Sequence, residues 1–201
     1  MNLMEHKEYY LSLLQKGIHF SKFPKLYQED KDIIINVLQK NGYNLLYLSK
    51  DDRDNEIFVR TALTNCGYAL SYVSERLKQK KEIVMIALKS FPLSIVHASE
   101  IFRNDKDIAI EAIRRNGTTY RYFSQFLRSD KDLLRLSIQT TPFSFSYAPT
   151  DLKKDKDFVL SCVAISPYIF YYVDPKLKDD YDVVGKVILR APSCFRHASD
   201  S

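Results

Sequence analysis

The chain has 201 residues, of which 45% are hydrophobic and 27% charged, with no tryptophan and five glycines. That composition belongs to a folded globular protein and excludes a disordered, collagen-like or low-complexity chain. The net charge of +5 is spread evenly, Lys and Arg exceeding Asp and Glu by 14 to 12 before residue 101 and by 16 to 13 after it, so there is neither a basic arm nor an acidic tail, and an acidic partner is permitted without being required.

The N-terminal stretch MNLMEHKEYY lacks the basic-then-apolar pattern of a secretory signal. No apolar run approaches the roughly 18 residues that a membrane-spanning helix needs, so no membrane partner is expected. The three cysteines, Cys66, Cys162 and Cys194, are widely spaced and odd in number. They read as core residues in a reducing cytoplasm rather than a disulfide or zinc framework.

A 25-residue period organises the sequence. One column holds Gly17, Gly42, Gly67, Pro92, Gly117, Pro142, Pro167 and Pro192. A second holds Tyr47, Tyr72, His97, Tyr122, Tyr147, Tyr172 and His197, and a third Ser49, Ser74, Ser99, Ser124, Pro149, Asp174 and Ser199. A fourth is wholly aliphatic, from Leu13, Leu38, Leu63 and Leu88 to Ile113, Ile138, Val163 and Ile188. Four columns in step give about eight units, starting near residues 5, 30, 55, 80, 105, 130, 155 and 180.

The first unit is degenerate, with Glu8-Tyr9-Tyr10 and with Lys22 in the tyrosine column, as expected of a solvated cap. In the fifth unit Asp105 is a helix N-cap, and Asp107 lies where the helix dipole favours an acid. Ile108, Ala109, Ala112 and Ile113 make one apolar stripe at helical spacing. Asn116-Gly117 then stops the helix, the glycine being expected in the left-handed cap conformation. Pro142, Pro167 and Pro192 force a different ending. A second, shorter helix is expected over 120–128. Neither helix buries its stripe alone, and stacked neighbours must build the core. The last unit ends at Ser201, short of a complete second helix, and is read first as a natural end and second as a cut from a longer array. The expected fold is all-α, an α-solenoid of stacked short helix-turn-helix repeats of about 25 residues, forming a single elongated domain over 1–201.

The phrase Tyr122-x-Ser124 followed by Leu127-Arg128-x-Asp130-Lys131-Asp132 resembles the repeats of domain-of-unknown-function family 4116. The likeness covers nearly the whole chain, each such domain spanning about two units, and departs at Lys80-Lys81-Glu82 and Asn55-Glu56-Ile57. It implies a helical repeat of large viruses, protists and host-associated bacteria. It implies no activity, cofactor or catalytic residue.

Each repeated feature has a structural and a functional reading. The acidic column, Asp30, Asp105, Asp130, Asp155 and Asp180, reads as helix capping, since Asp-x-Asp alone lacks the glycine turn and distal acid of a calcium loop. The basic column, Arg53, Lys78, Arg103, Arg128, Lys153 and Lys178, reads first as compensation of helix dipoles and second as a cationic edge for phosphates. The Tyr/His column reads as a structural ladder, the alternative being a stacking platform for bases. His6, His19, His97 and His197 are too scattered for a metal, and no hydrolase, P-loop or zinc-protease motif occurs.

Departures from the repeat remain. Arg76, Lys78, Lys80 and Lys81 make a local basic knot, and Tyr168, Tyr171 and Tyr172 with Phe170 an aromatic cluster, Phe170 sharing a core column with Tyr120, Phe145 and Phe195. Tyrosine and arginine anchor many interfaces. The expected function is a non-enzymatic protein-binding scaffold or inhibitor, a viral or bacterial factor acting on a host or competitor protein. Nucleic-acid or phosphate binding through the basic edge is second. The candidate contact residues are Arg76, Lys78, Lys80, Lys81, Arg103, Arg128, Lys153, Tyr168 and Tyr171. No cofactor, metal or small-molecule substrate is expected, and the location is the cytoplasm of the producing or a host cell.

Overall fold

The computed structural model describes residues 3–16, 18 and 20–195. Gly17, His197 and Ser199 of the repeat columns, and His19, lie outside the described residues. Among the described residues every regular element is helical, and the chain divides into two compact units, Met1–Ser99 and Glu100–Ser201.

The fold is an α-solenoid of about 25-residue repeats. Each repeat has three elements where two were expected. A ten-residue α-helix (Lys106–Arg115 in the fifth repeat) is followed by a six-residue 3-10 helix (Gly117–Tyr122) and a single α-turn (Gln125–Arg128). The expected helix over 120–128 is broken because Phe123 and Ser124 are extended and the Ser124 hydroxyl caps the last turn by accepting from the Leu127 amide at 3.3 Å. Serine competes for the backbone in this way, which suits it to a cap and not to a helix interior.

The long helices begin as the acidic column predicts. Asp30, Asp105, Asp130 and Asp180 each accept from the amides two and three residues on, and Asn55 does the same. Asp155 accepts from the Phe158 amide.

Within the first unit the long helices Lys31–Lys40, Glu56–Asn65 and Lys81–Ser90 pack in succession, as do the 3-10 helices Gly42–Tyr47, Gly67–Tyr72 and Pro92–His97. Within the second unit the same holds for Lys106–Arg115, Lys131–Thr140, Lys156–Ile165 and Tyr181–Arg190, and for Gly117–Tyr122, Pro142–Tyr147 and Pro167–Tyr172. The core fills the space between the two layers. It takes Ile33, Ile34, Val37, Leu38 and Leu45 from one repeat and Ile108, Ala109, Ala112, Ile113 and Tyr120 from another, all essentially inaccessible.

The glycine column works differently from expectation. No glycine at Gly42, Gly67 or Gly117 has a positive φ, and the residue that ends the helix, Asn116, is extended at φ −155°. These glycines are small because the next long helix presses on them. A Cβ on Gly117 would overlap the Ser137 carbonyl and stand 2.7 Å from Thr140 Oγ1. One on Gly67 would stand 2.8 Å from both the Phe91 amide nitrogen and its Cβ. In the other repeats proline opens the same 3-10 helix at its first turn, where its fixed φ fits and its missing N–H leaves no bond unmade.

Two further ties lock neighbouring repeats. Asn65 accepts from the Gly42 amide at 2.9 Å and donates to the Leu38 and Gln39 carbonyls, satisfying the open end of the preceding long helix. Every second joint is also stapled through the main chain: the amides of Ser74, Ser124 and Asp174 donate to the carbonyls of Arg53, Arg103 and Lys153. This 50-residue alternation is invisible in a 25-residue column.

Candidate partner-binding face

The 3-10 helices present a row of side chains away from the core. In the first unit these are Tyr43, Leu46 and Tyr47, then Tyr68, Ser71 and Tyr72, then Leu93, Val96 and His97. In the second unit they are Thr118, Arg121 and Tyr122, then Phe143, Ser146 and Tyr147, then Tyr168, Tyr171 and Tyr172. None of these eighteen is buried. Ten are aromatic and one, Arg121, is formally charged, where the chain's 27% of charged residues would place about five. Depletion of charge with enrichment in tyrosine distinguishes the centre of a protein interface from ordinary surface.

The rings hold one another in place. Tyr43 stacks on Tyr68 at 6.3 Å and meets Tyr72 edge-on at 5.4 Å, and Tyr68 meets His97 edge-on at 5.2 Å. A hydrogen bond with Tyr43 holds the Tyr72 phenol up at about 12. Burial, with Lys78 nearby, keeps His97 below the usual histidine value. In the second unit Phe143 meets Tyr147 and Tyr172 edge-on at 5.4 and 5.5 Å. Arg121 lies over Tyr122 and Tyr147, 4.6 and 5.7 Å from the ring centres, and donates to both hydroxyls. The ladder is thus self-packed and still about 40–50% exposed at Tyr43, Tyr68 and Phe143, and Tyr168 beside it is 53% exposed. Exposed aromatics pre-fixed in this way lose little rotamer freedom on contact.

Of the residues singled out by sequence, Tyr168 and Tyr171 lie on this face, while Phe170 is buried in the core. The basic knot does not form an unneutralised patch. Arg76 pairs with Asp54 at 3.0 Å, Lys78 with Glu75 at 2.8 Å and Lys80 with Glu56 at 2.5 Å, and Lys81 is engaged as well. The Lys80–Glu56 pair is the mirror image of the joint found at Lys106–Asp130 (2.7 Å) and Lys131–Asp155 (2.6 Å), where the lysine starts one long helix and the acid caps the next.

The basic column turns inward to main-chain carbonyls at the ends of the 3-10 helices. Lys153 Nζ donates to Ser146 O at 2.5 Å, Lys178 Nζ to Tyr171 O at 3.1 Å, and Arg128 Nη1 to Tyr147 O at 3.3 Å. Arg103 pairs with Glu100 at 3.1 Å. The Nε atoms of Arg53, Arg103 and Arg128 are buried without a hydrogen-bond partner among the described residues. Desolvation lowers the Lys153 pKa.

Sequence reasoning assigned the Tyr/His column a structural role and passed over Tyr43, Tyr68, Phe143 and Arg121. The signal available was the absence of acids at three successive column positions, which a search for recurring residues does not see.

Among the described residues no three His, Cys, Asp or Glu side chains gather as a metal site would require, and no helix is long and apolar enough to cross a membrane. No curated protein and no solved structure matches the chain. The model of the family described as Domain of unknown function (DUF4116) matches residues 30–78, 55–103, 80–126, 105–153 and 155–201, windows that each cover about two of the repeats described above and begin at the helix caps. The chain belongs to the DUF4116 family.

Proposed function

We propose that the chain is a non-enzymatic protein-recognition scaffold or inhibitor that holds its partner on the aromatic face of the 3-10 layer. One observation carries this reading: eighteen unburied positions supply ten aromatic rings and a single formal charge. The partner is met in a cytoplasm, that of the producing cell or of a host. The unpaired thiols Cys66, Cys162 and Cys194 suit a reducing compartment.

The test is affinity capture of a partner from native cell extract, repeated with variants. Tyr68→Ser and Tyr168→Ser should release it, and Lys80→Ser should not, because that lysine serves a joint between repeats. A partner retained by both tyrosine variants would refute the reading.

A second reading is single-stranded nucleic acid, favoured by the three cations, Arg121, Arg128 and Lys153, that converge on one 3-10 helix. Against it, edge-to-face packing occupies ring faces that bases would need, and the two deeper cations are already bonded to carbonyls. Oligo(dT) binding that falls steeply with salt would favour it.

A further inference from the structure

We infer that the second unit's aromatic face carries a carboxylate seat centred on Arg121, and that its occupant is an acidic side chain of a partner protein flanked by apolar residues. The inference rests on the protein-recognition reading above and adds the partner's chemistry. Arg121 is exposed and makes its contacts to rings: its guanidinium lies over Tyr122 and Tyr147 and donates one hydrogen bond to each hydroxyl. Among the described residues it has no carboxylate partner, and its pKa is raised by Tyr122 and Tyr147 alone.

A guanidinium carries five N–H donors in a fixed plane, so donors remain for a carboxylate after the two tyrosines are satisfied. The rings fix that plane and exclude water from one side of it, which strengthens a charge-assisted bond.

A second observation points the same way. The 3-10 helix Pro142–Tyr147, on which Tyr147 stands, also receives Arg128 at the Tyr147 carbonyl and Lys153 at the Ser146 carbonyl. Neither of these cations forms an ion pair among the described residues, and the Arg128 Nε is buried without a partner. Beside them lies a cleft of about 360 Å³ lined by Arg128, Tyr147 and Thr150, with Asp151 as its one acid. In the cleft Arg128 and Asp151 offset each other, and Arg121, with no carboxylate partner, leaves the positive charge on a face that otherwise repels charge by desolvation. Apolar flanks with one acid complement it. A polyanion does not, because Arg128 and Lys153 are already bonded to carbonyls and the neighbouring ring positions, Phe143, Tyr168 and Tyr171, offer no further cation for the next phosphate.

The experiment is selection of a displayed random dodecapeptide library on the full chain, followed by affinity measurement with synthetic versions of the selected peptides. Expected is enrichment of peptides with an Asp or Glu between apolar or aromatic residues, binding about ten- to a hundredfold more weakly to Arg121→Gln, as befits a hydrogen bond to a charged group. Arg121→Lys, which keeps the charge and loses the fork, should bind at an intermediate level. Exchange of the peptide's acid for its amide should produce a loss similar to that of Arg121→Gln and add nothing in that variant. Unchanged far-ultraviolet circular dichroism and thermal midpoint certify that both variants are folded.

Peptides without an acid, or binding indifferent to Arg121→Gln, overturn the seat. If such peptides are still lost on Tyr147→Ser and Tyr168→Ser, recognition by the face stands and only the carboxylate seat falls. A library with no binder sensitive to any of these changes sinks both readings. Preference for oligo(dT) or a phosphopeptide over the selected acidic peptides also overturns the seat.

Discussion

The glycine column gives the sharpest test of how the repeats are held together, because the same substitution should act with opposite sign at two positions. In Gly117→Ala the new methyl would overlap the Ser137 carbonyl, stand 2.7 Å from Thr140 Oγ1 and 3.0 Å from Thr141 Cβ. Carbon atoms pack at about 3.5–4.0 Å, so the long helix Lys131–Thr140 must recede by about 1 Å. Overpacking a tight core costs about 1–3 kcal/mol, and the upper end applies because main chain must move. For a chain of this length that lowers the thermal midpoint by roughly 4–12 °C. In Gly185→Ala, inside the helix Tyr181–Arg190, nothing lies within 4 Å of the new methyl. The substitution there gains about 1 kcal/mol of helix propensity, raising the midpoint by roughly 2–4 °C. Differential scanning calorimetry on both variants decides. If Gly117→Ala matches or exceeds the parent, close approach is not what the column encodes. If both variants stabilise alike, the flexibility of the unfolded chain and not contact is being measured.

Three other outcomes follow from the joints. Lys80 is the one long-helix cap among repeats two to eight that makes no side-chain capping bond, so the double exchange Glu56→Lys with Lys80→Asp, which rebuilds the joint of its neighbours, should stabilise by about 1 kcal/mol in denaturant titration; Lys80→Asp alone should gain less, because it sets two acids together. The caps also fix the response to acid. Burial pushes Asp130 up, but Lys106 and the Leu133 and Asp132 amides outweigh it and leave its pKa lowered, while Lys131 and the Phe158 amide lower Asp155 and Lys156 chiefly lowers Asp180. A folded pKa below the unfolded value of about 3.9 gives stability that is complete above that value and lost as pH falls from it through the folded pKa, so the denaturant midpoint should drop below about pH 4, and less steeply in Asp130→Asn. Tyr120→Phe removes a buried hydroxyl that donates to the Arg128 carbonyl and should cost no more than about 1.5 kcal/mol by the same titration, since Phe145 and Phe170 fill the equivalent place unaided.

Much of the architecture was legible because capping and apolar periodicity are local. Asp105 or Asp130 caps through atoms two and three residues away, and Ile108, Ala109, Ala112 and Ile113 share a face by helical geometry alone. What escaped was set by contacts some 20–25 residues distant. The glycines were assigned to a local conformation, whereas their cause is the carbonyl of the next repeat's helix. The basic knot at Arg76 and Lys80 counted cations without the acids Asp54 and Glu56 that the fold sets beside them. The break at Phe123-Ser124 was visible as a serine column and was outweighed by the aromatic spacing of Tyr120, Phe123 and Phe126, which mimics a helix stripe.

On the proposed reading, function follows the repeat and not its breaks, for a physical reason. A solenoid offers each repeat a limited set of outward positions, and a partner long enough to span several repeats meets the same position again every 25 residues. Selection for such a partner therefore writes a column, not an exception. Tyr43, Tyr68, Phe143 and Tyr168 occupy one such column, which is exposed, and Tyr47, Tyr72, Tyr122, Tyr147 and Tyr172 another, which is partly so, where the aliphatic column through Leu38, Leu63 and Ile113 is sealed. A ladder needed for stability alone has no reason to leave Tyr43, Tyr68, Phe143 and Tyr168 about 40–50% in water while excluding acids from their columns. On the proposed reading, regularity would mark the surface within each unit, and Arg121, the one charged position of the second unit's face, would mark where on that face the partner is fixed in register.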